Sequence, residues 1–398
     1  MIIMGLNSGT SQDGVSAAVF ETLRLTPSAK IKLIFYKEYP YPDSVLRELS
    51  GIYKKQSLEK LARAHFFLGE VFAGAALKAI RQSKMKAGAL DLIASHGQTI
   101  GHFPELKKIG GRKIRATLQI GEPAVIAQRT GITTVGDFRP GDIGAGGQGA
   151  PVLAYPECLL FGSLNKNRMV INLGGVANFS LIPKGADPEQ VNAADAGPCN
   201  LLLDGLASRI SKGKLKCDFH GKIALSGRPR KEWVEKILKH KFFKKPAPRT
   251  TGREDFNENW MDGLLEGLKI KLDRDGPDLL RSGAYAVARM IAQCYAENYR
   301  NFEIDEIIVS GGGANNRALI FEIEQAMWKR AIMSQELGIP LQAKEPIGFG
   351  MLAELCLAGA SANLVQATGA RIPAVLGKII PGKNWRALLK KLSRMTER

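Results

Sequence analysis

"INLGGVANFS", residues 171–180, decides the fold. An apolar strand runs into two glycines, Gly174 and Gly175, and leaves them at once as a second strand. The chain opens in the same way. The apolar run Ile2–Leu6 enters "NSGTSQDG" (residues 7–14), a turn rich in hydroxyls and poor in bulk, and residues 16–22 read as the returning strand. Strand, glycine turn and strand thus occur twice, about half a chain apart. No short fixed period accompanies them, which excludes a solenoid. Two halves built on one theme are expected.

Around these turns, strand and helix signals alternate, the pattern of an α/β protein. Residues 32–37 read as a third strand, residues 56–83 as a helix of 3.6-residue period, and residues 91–96 as another strand. Residues 117–139 read as strand, helix and strand, with Pro123 near the helix start and Gly131 just beyond its end. Pro277 is expected to open a long helix reaching about Tyr299. "GDIGAGGQGAP" (141–151) carries five glycines and is the expected crossover between an N-terminal lobe, 1–140, and a C-terminal lobe, 152–370. A basic segment, 371–398, follows and is free to return to the N-terminal lobe.

The chain has 398 residues, 45% apolar and 24% charged, the profile of a globular protein. Its apolar stretches are too short and broken to span a membrane. Met1 leads directly into a strand with no basic n-region or cleavage site, so the cytoplasm is expected. Five scattered cysteines with no CxxC spacing argue against a disulfide framework or a zinc site. The net charge of +18 raises nucleic-acid binding. However, the denser clusters, 239–249 and 384–398, read as a loop and a surface helix, and no nucleic-acid motif is present. A solvated basic surface that draws an anionic substrate is the expectation, with no nucleic-acid or membrane partner. A homodimer is compatible with the sequence.

Several stretches could carry chemistry. In residues 7–14 the amides and hydroxyls of Gly9, Thr10 and Ser11 suit phosphate oxygens, and Asp13 could hold Mg²⁺ through water. An ordinary polar hairpin would use the same residues. Gly174 and Gly175 again leave amides uncovered. "VSGGGANN" (309–316) is a strand, a glycine triplet (Gly311, Gly312, Gly313) and a helix start, a junction that admits a nucleotide. That junction is neither a dinucleotide fingerprint nor a Walker A loop. In "NAADAGPCN" (192–200), Asp195 stands among small residues and could serve as a general base or as a turn aspartate. Cys199 beside it reads as a small filler. In "SHGQT" (95–99), His96 could be structural or touch a ligand. Arg139, between Asp137 and Asp142, could grip a substrate oxygen or pair with those acids.

These motifs, with "ASHGQTIGH" (94–102), residues 117–151, "DAGPCNLLLDG" (195–205), "TTGREDFN" (250–257) and "AKEPIGFGMLA" (343–353), run in one order over nearly the whole chain. In this the sequence resembles the 1,6-anhydro-N-acetylmuramic acid kinase family, part of the actin, hexokinase and Hsp70 fold group. The resemblance implies an α/β fold of two ribonuclease-H-like (actin-like ATPase) lobes with an interlobe active-site cleft. It implies a kinase of cell-wall sugar recycling. ATP, water and 1,6-anhydro-N-acetylmuramic acid would give N-acetylmuramic acid 6-phosphate and ADP, with Mg²⁺ as cofactor. By motif match Asp195 would activate the water and Arg139 would face the bridge oxygen. Thr99 and Glu345 would hold the sugar. Gly9, Thr10, Ser11, Gln12, Asp13, Gly14, Val15 and Ser16 would carry the phosphates, with Gly174, Gly175 and Gly311 to Gly313 completing the nucleotide site and Asp13 the metal site. The chain departs from the family pattern at Asn7, Ser16, Ala196, Cys199 and Pro346, which leaves a different sugar as the alternative substrate.

Overall fold

The computed structural model of the protein describes residues 1–9, 14–23, 25, 31–54, 57–86, 88–266 and 270–396. Among them are twelve strands: β1 (Ile2–Ser8), β2 (Gly14–Thr22), β3 (Ile31–Pro40), β4 (Leu92–Ile109), β5 (Arg112–Ile120), β6 (Thr134–Gly136), β7 (Arg168–Leu173), β8 (Val176–Ile182), β9 (Asn192–Pro198), β10 (Glu306–Ser310), β11 (Ala331–Met333) and β12 (Lys378–Ile380). The chain forms two compact units: residues 1–160 with 343–398, and residues 161–342.

Each unit holds one sheet, and the two sheets share a topology. In the first the order is β12-β6-β4-β1-β2-β3, with β5 paired to β4. In the second it is β11-β10-β7-β8-β9. In both, the first three strands form an antiparallel meander, and the next two core strands run parallel to the first. The protein therefore has the duplicated α/β architecture of two ribonuclease-H-like lobes. The repeated strand–glycine turn–strand of the sequence is the first hairpin of each sheet.

β1 is buried on both faces because helices cover both. Met4 and Leu6 pack with Leu68, Phe72 and Ala76 of the helix Leu58–Gln82. On the other side lies the helix Lys344–Leu357. At Gly350 of that helix a Cβ would come within 2.6 Å of the Phe20 ring and 3.2 Å of Ile3. At Gly5 of β1 a Cβ would overlap the Pro346 carbonyl oxygen outright. Gly5→Ala must therefore push away the helix start that carries Glu345. We expect a loss of about 3 kcal/mol, read as a lower melting temperature. An unchanged melt would show that the helix yields freely.

The second core gathers Ile171 and Leu173 of β7 and Phe179 of β8 with Leu202 and Leu206 of the helix Asn200–Ile210. Val287 and Ile291 of the helix Leu272–Tyr299 complete it. That helix begins five residues before Pro277, which lies inside it rather than at its start. Pro277 is the sixth residue of the helix, past the four amides that have no helical partner, so its missing N–H removes one intrahelical bond. The helix Pro123–Thr130 matches its punctuation, with Pro123 first and Gly131 as a left-handed C-cap.

The glycine stretch 141–151, expected as the crossover, lies within the first unit, as do residues 343–370. Asp142 pins it: its carboxylate accepts from the Gly149 amide at 2.7 Å, the Thr368 hydroxyl at 2.6 Å and the Asn363 amide at 3.0 Å. The C-terminal segment also packs in this unit. Asn384 accepts from the Thr133 amide and hydroxyl, and Lys391 pairs with Asp91 at 2.6 Å.

Candidate active site

In the second unit, Asp195 sits mid-way along β9 and is buried. Its Oδ2 accepts from the Thr250 hydroxyl at 2.7 Å and the Thr251 amide at 2.8 Å. The backbone is clamped as well: the Asp195 amide donates to the Arg249 carbonyl, and the Arg249 Nε donates back to the Asp195 carbonyl, both at 3.1 Å. Residues 249–251 thus fix both the strand and the orientation of one carboxylate. Thr250 and Thr251 were in a recognised motif but were not picked from the sequence. Their partner lies 55 residues away, and nothing local announces it.

The same stretch supplies a second acid. Glu254 is on the surface, yet its carboxyl folds back so that a Cβ at Gly252 would meet it at 2.6 Å. Desolvation of the carboxyl, then the charges of Asp255 and Asp195, push its pKa up to about 7. The folded state holds this proton more tightly than the unfolded chain, so the stability tied to it falls as pH rises from 4.5 toward about 7. Loss of the proton also adds negative field at Asp195. We expect kcat/KM to rise through pH of about 7 in the wild type, and the step to vanish in Glu254→Gln. A step that survives in the variant would assign it to another group.

The glycine motifs of this unit come together. The Cys199, Asn200 and Leu201 amides donate to the carbonyls of Gly175, Gly174 and Gly175 at 2.9, 3.0 and 3.1 Å, seating the helix Asn200–Ile210 on the β7–β8 turn. Asn200 Nδ2 reaches the Leu173 carbonyl at 3.3 Å. Gly311 has φ +86°, and a Cβ there would stand 2.8 Å from the same carbonyl. At Gly313 a Cβ would be 2.9 Å from both Asn200 and Leu173. Gly174, Gly175, Gly311, Gly312, Gly313 and Asn200 thus form one cluster, and at Gly311 and Gly313 only bare backbone fits. Cys199 is fully buried, and burial followed by the Asp204 charge pushes its thiol pKa well up. It is a filler, not a nucleophile.

In the first unit, Arg139 is the second residue of the helix Phe138–Gly144, directly after β6. Its Nε donates to His96 Nε2 at 2.9 Å and its Nη1 to the Gly149 carbonyl at 2.8 Å. Of the flanking acids, Asp137 pairs with Lys378 at 2.7 Å, and Asp142 holds the 147–149 loop. Asp137 itself has φ +54°, a backbone state that costs a non-glycine residue energy and accompanies functional sites.

Thr99 lies on β4, and its hydroxyl accepts from Gln119 Nε2 at 3.4 Å. Glu345 is in the first turn of its helix, and Asn7 Nδ2 donates to its Oε2 at 2.5 Å. Asn7, one of the departures from the family pattern, is therefore a buried partner of the residue expected to hold the sugar. Ser16, another departure, is the cross-strand neighbour of Asn7. Its hydroxyl bonds Tyr36, whose pKa burial raises most, with Glu38 and Glu345 adding to it.

Of the expected phosphate turn, Thr10, Ser11, Gln12 and Asp13 lie outside the described residues, and with them the expected metal position. Gly9 and Gly14 flank them. Gln98, passed over in "SHGQT", braces the near side: it accepts from the Ser8 hydroxyl at 2.6 Å and donates to the Gly9 carbonyl at 3.3 Å. Val15 points into the core. Among the described residues no cluster of three or more His, Cys, Asp or Glu could hold a metal ion, and no helix is long and apolar enough to cross a membrane.

The family model for anhydro-N-acetylmuramic acid kinase matches residues 1–382. The chain belongs to that family. It is 38% identical to the anhydro-N-acetylmuramic acid kinase of Caldanaerobacter subterraneus subsp. tengcongensis, over 95% of this chain and 96% of the relative. It is 34% identical to those of Salinibacter ruber, over 96% of each chain, and Clostridioides difficile, over 96% and 98%. Among solved structures it is similar to an activator of 2-hydroxyisocaproyl-CoA dehydratase from Clostridium difficile with bound ADPNP, at TM-score 0.44 and 11% identity, over 89% of this chain and 94% of that one. As a member of the anhydro-N-acetylmuramic acid kinase family, the protein is an ATP-using kinase.

Proposed function

We propose that this kinase opens 1,6-anhydro-N-acetylmuramic acid with water and phosphorylates the freed O6 from ATP, in the cytoplasm. Asp195 takes a proton from water as the water oxygen bonds to C1. The C1–O6 bond breaks, and O6 attacks the γ-phosphorus to give N-acetylmuramic acid 6-phosphate and ADP. Arg139 faces O6 and stabilises the charge that builds there. Thr99 and Glu345 orient the sugar, with Asn7 steadying Glu345. The nucleotide phosphates rest on residues 9–16 and on the amides of Gly174 and Gly175, with Gly311 to Gly313 beside the adenosine.

Mg²⁺ would accompany the phosphates, supplying charge neutralisation when bound. It keeps much of its water and needs only one or two protein carboxylates, so Asp13 alone suffices as its outer partner. The observation that carries the reading is Asp195: a buried carboxylate, oriented by two donors, on the strand that leads into Asn200 and the glycine cluster.

The test is ADP release measured with the anhydro sugar, free N-acetylmuramic acid, glucosamine derivatives and plain hexoses. Turnover confined to the anhydro sugar is expected. Equal or faster turnover on another sugar would support the alternative substrate left open by Asn7, Ala196, Cys199 and Pro346.

A further inference from the structure

His96 has no part in the proposed chemistry, yet it is buried and in direct contact with Arg139. We infer that His96 is a positioning residue: a neutral imidazole whose bare Nε2 aims the Arg139 guanidinium at the bridge oxygen. The inference rests on the reading of Arg139 given above.

An arginine does not give up its proton, so the atom facing its Nε must accept. His96 Nε2 therefore carries no hydrogen. The proton is on Nδ1, which donates to the Gly97 carbonyl at 3.1 Å. That carbonyl is itself fixed, because Gly97 has φ +72° and a Cβ there would stand 2.6 Å from the Ile120 carbonyl oxygen. The ring plane is set by Phe349, stacked at 4.3 Å and 25°. Phe349 in turn packs on Phe138, the residue before Arg139, at 5.5 Å.

The second anchor, the Gly149 carbonyl, is held from behind by Asp142 through the Gly149 amide. Both acceptors are neutral, so neither discharges the arginine. A protonated His96 would set two cations face to face. Burial first, and Arg139 second, keep its pKa well below the ordinary 6.5. His102, the other titratable ring near Arg139, is likewise held neutral, down to about 3, by burial and then Arg139.

The experiment uses the full chain and compares His96→Leu, His96→Gln, Arg139→Ala and the double variant H96L/R139A, with kcat, both KM values and melting curves. Misplacing a catalytic group by about 1 Å costs about 100-fold. His96→Leu is expected to lower kcat by about 10–100-fold with the ATP KM unchanged. His96→Gln should recover most of this, because its amide oxygen accepts the same N–H. The double variant should be no slower than Arg139→Ala, since the two act as one unit.

A normal kcat in His96→Leu beside a slow Arg139→Ala would overturn the inference alone. So would equal slowing by leucine and glutamine, or multiplied losses in the double variant. A fast Arg139→Ala would overturn the reading of Arg139 and the inference with it. Where the leucine variant does not fold, His96→Met fills similar space without a strong acceptor and carries the same comparison.

Discussion

Asp195→Asn will stop phosphoryl transfer while leaving nucleotide binding in place. The asparagine keeps the size of the side chain, and its oxygen can still accept from the Thr251 amide and the Thr250 hydroxyl that now hold the carboxylate. The fold around β9 should therefore survive. What disappears is the capacity to take a proton from water. A positioned general base contributes about 10²–10⁴ in rate, and in the proposed reaction the nucleophile is water, so the upper end, about 10⁴-fold in kcat, is expected. Calorimetric titration with ATP should give the wild-type affinity. Near-normal turnover in the variant would remove Asp195 from the chemistry; lost nucleotide binding would make it a structural residue.

Arg139→Ala comes next in size. Removing one donor aimed at developing negative charge costs about 10²–10³-fold in kcat, and this donor also carries a full charge. The loss should fall on kcat more than on KM, because in the proposed reaction O6 gains charge only as its bond to C1 breaks. Arg139→Lys should recover little: an ammonium cannot reach His96 and Gly149 together with the substrate as a planar fork does. The alanine variant also leaves the buried His96 Nε2 without its donor, at a cost of about 1–3 kcal/mol. Its melt must be recorded beside its kinetics. Equal rates in wild type and variant would end the bridge-oxygen role.

Much of this was legible in the residues. Both hairpins show themselves because an apolar strand buried on two faces reads as a continuous run, and because their turns need glycine. The helix Pro123–Thr130 carries its own start and stop. The order of the motifs alone marks the family. Other features were hidden by the dual use of glycine. Residues 141–151 look like a hinge, but a Cβ at Gly147 would overlap the Asp142 carboxylate. At Gly141, Gly146 and Gly147 the missing side chain serves close packing, and Gly146 and Gly149 also supply positive φ. The divisions after residues 160 and 342 carry no composition signal at all. Within the candidate site, single residues can be nominated from the sequence and their partners cannot. Asn7 meets Glu345 across 338 positions, and Thr250 meets Asp195 across 55, so only folding reveals the pairs.

The fit of Gly5 against Pro346 bears on how the protein is made. β1 receives its second cover from a helix more than three hundred residues later in the chain. Until that helix emerges, Ile3 and Phe20 lack a partner on that side, while the intervening residues 161–342 already contain their entire own core. The inserted unit can therefore close on its own core before the sheet of the first unit is covered on both faces, and until then that sheet keeps an apolar face open to aggregation.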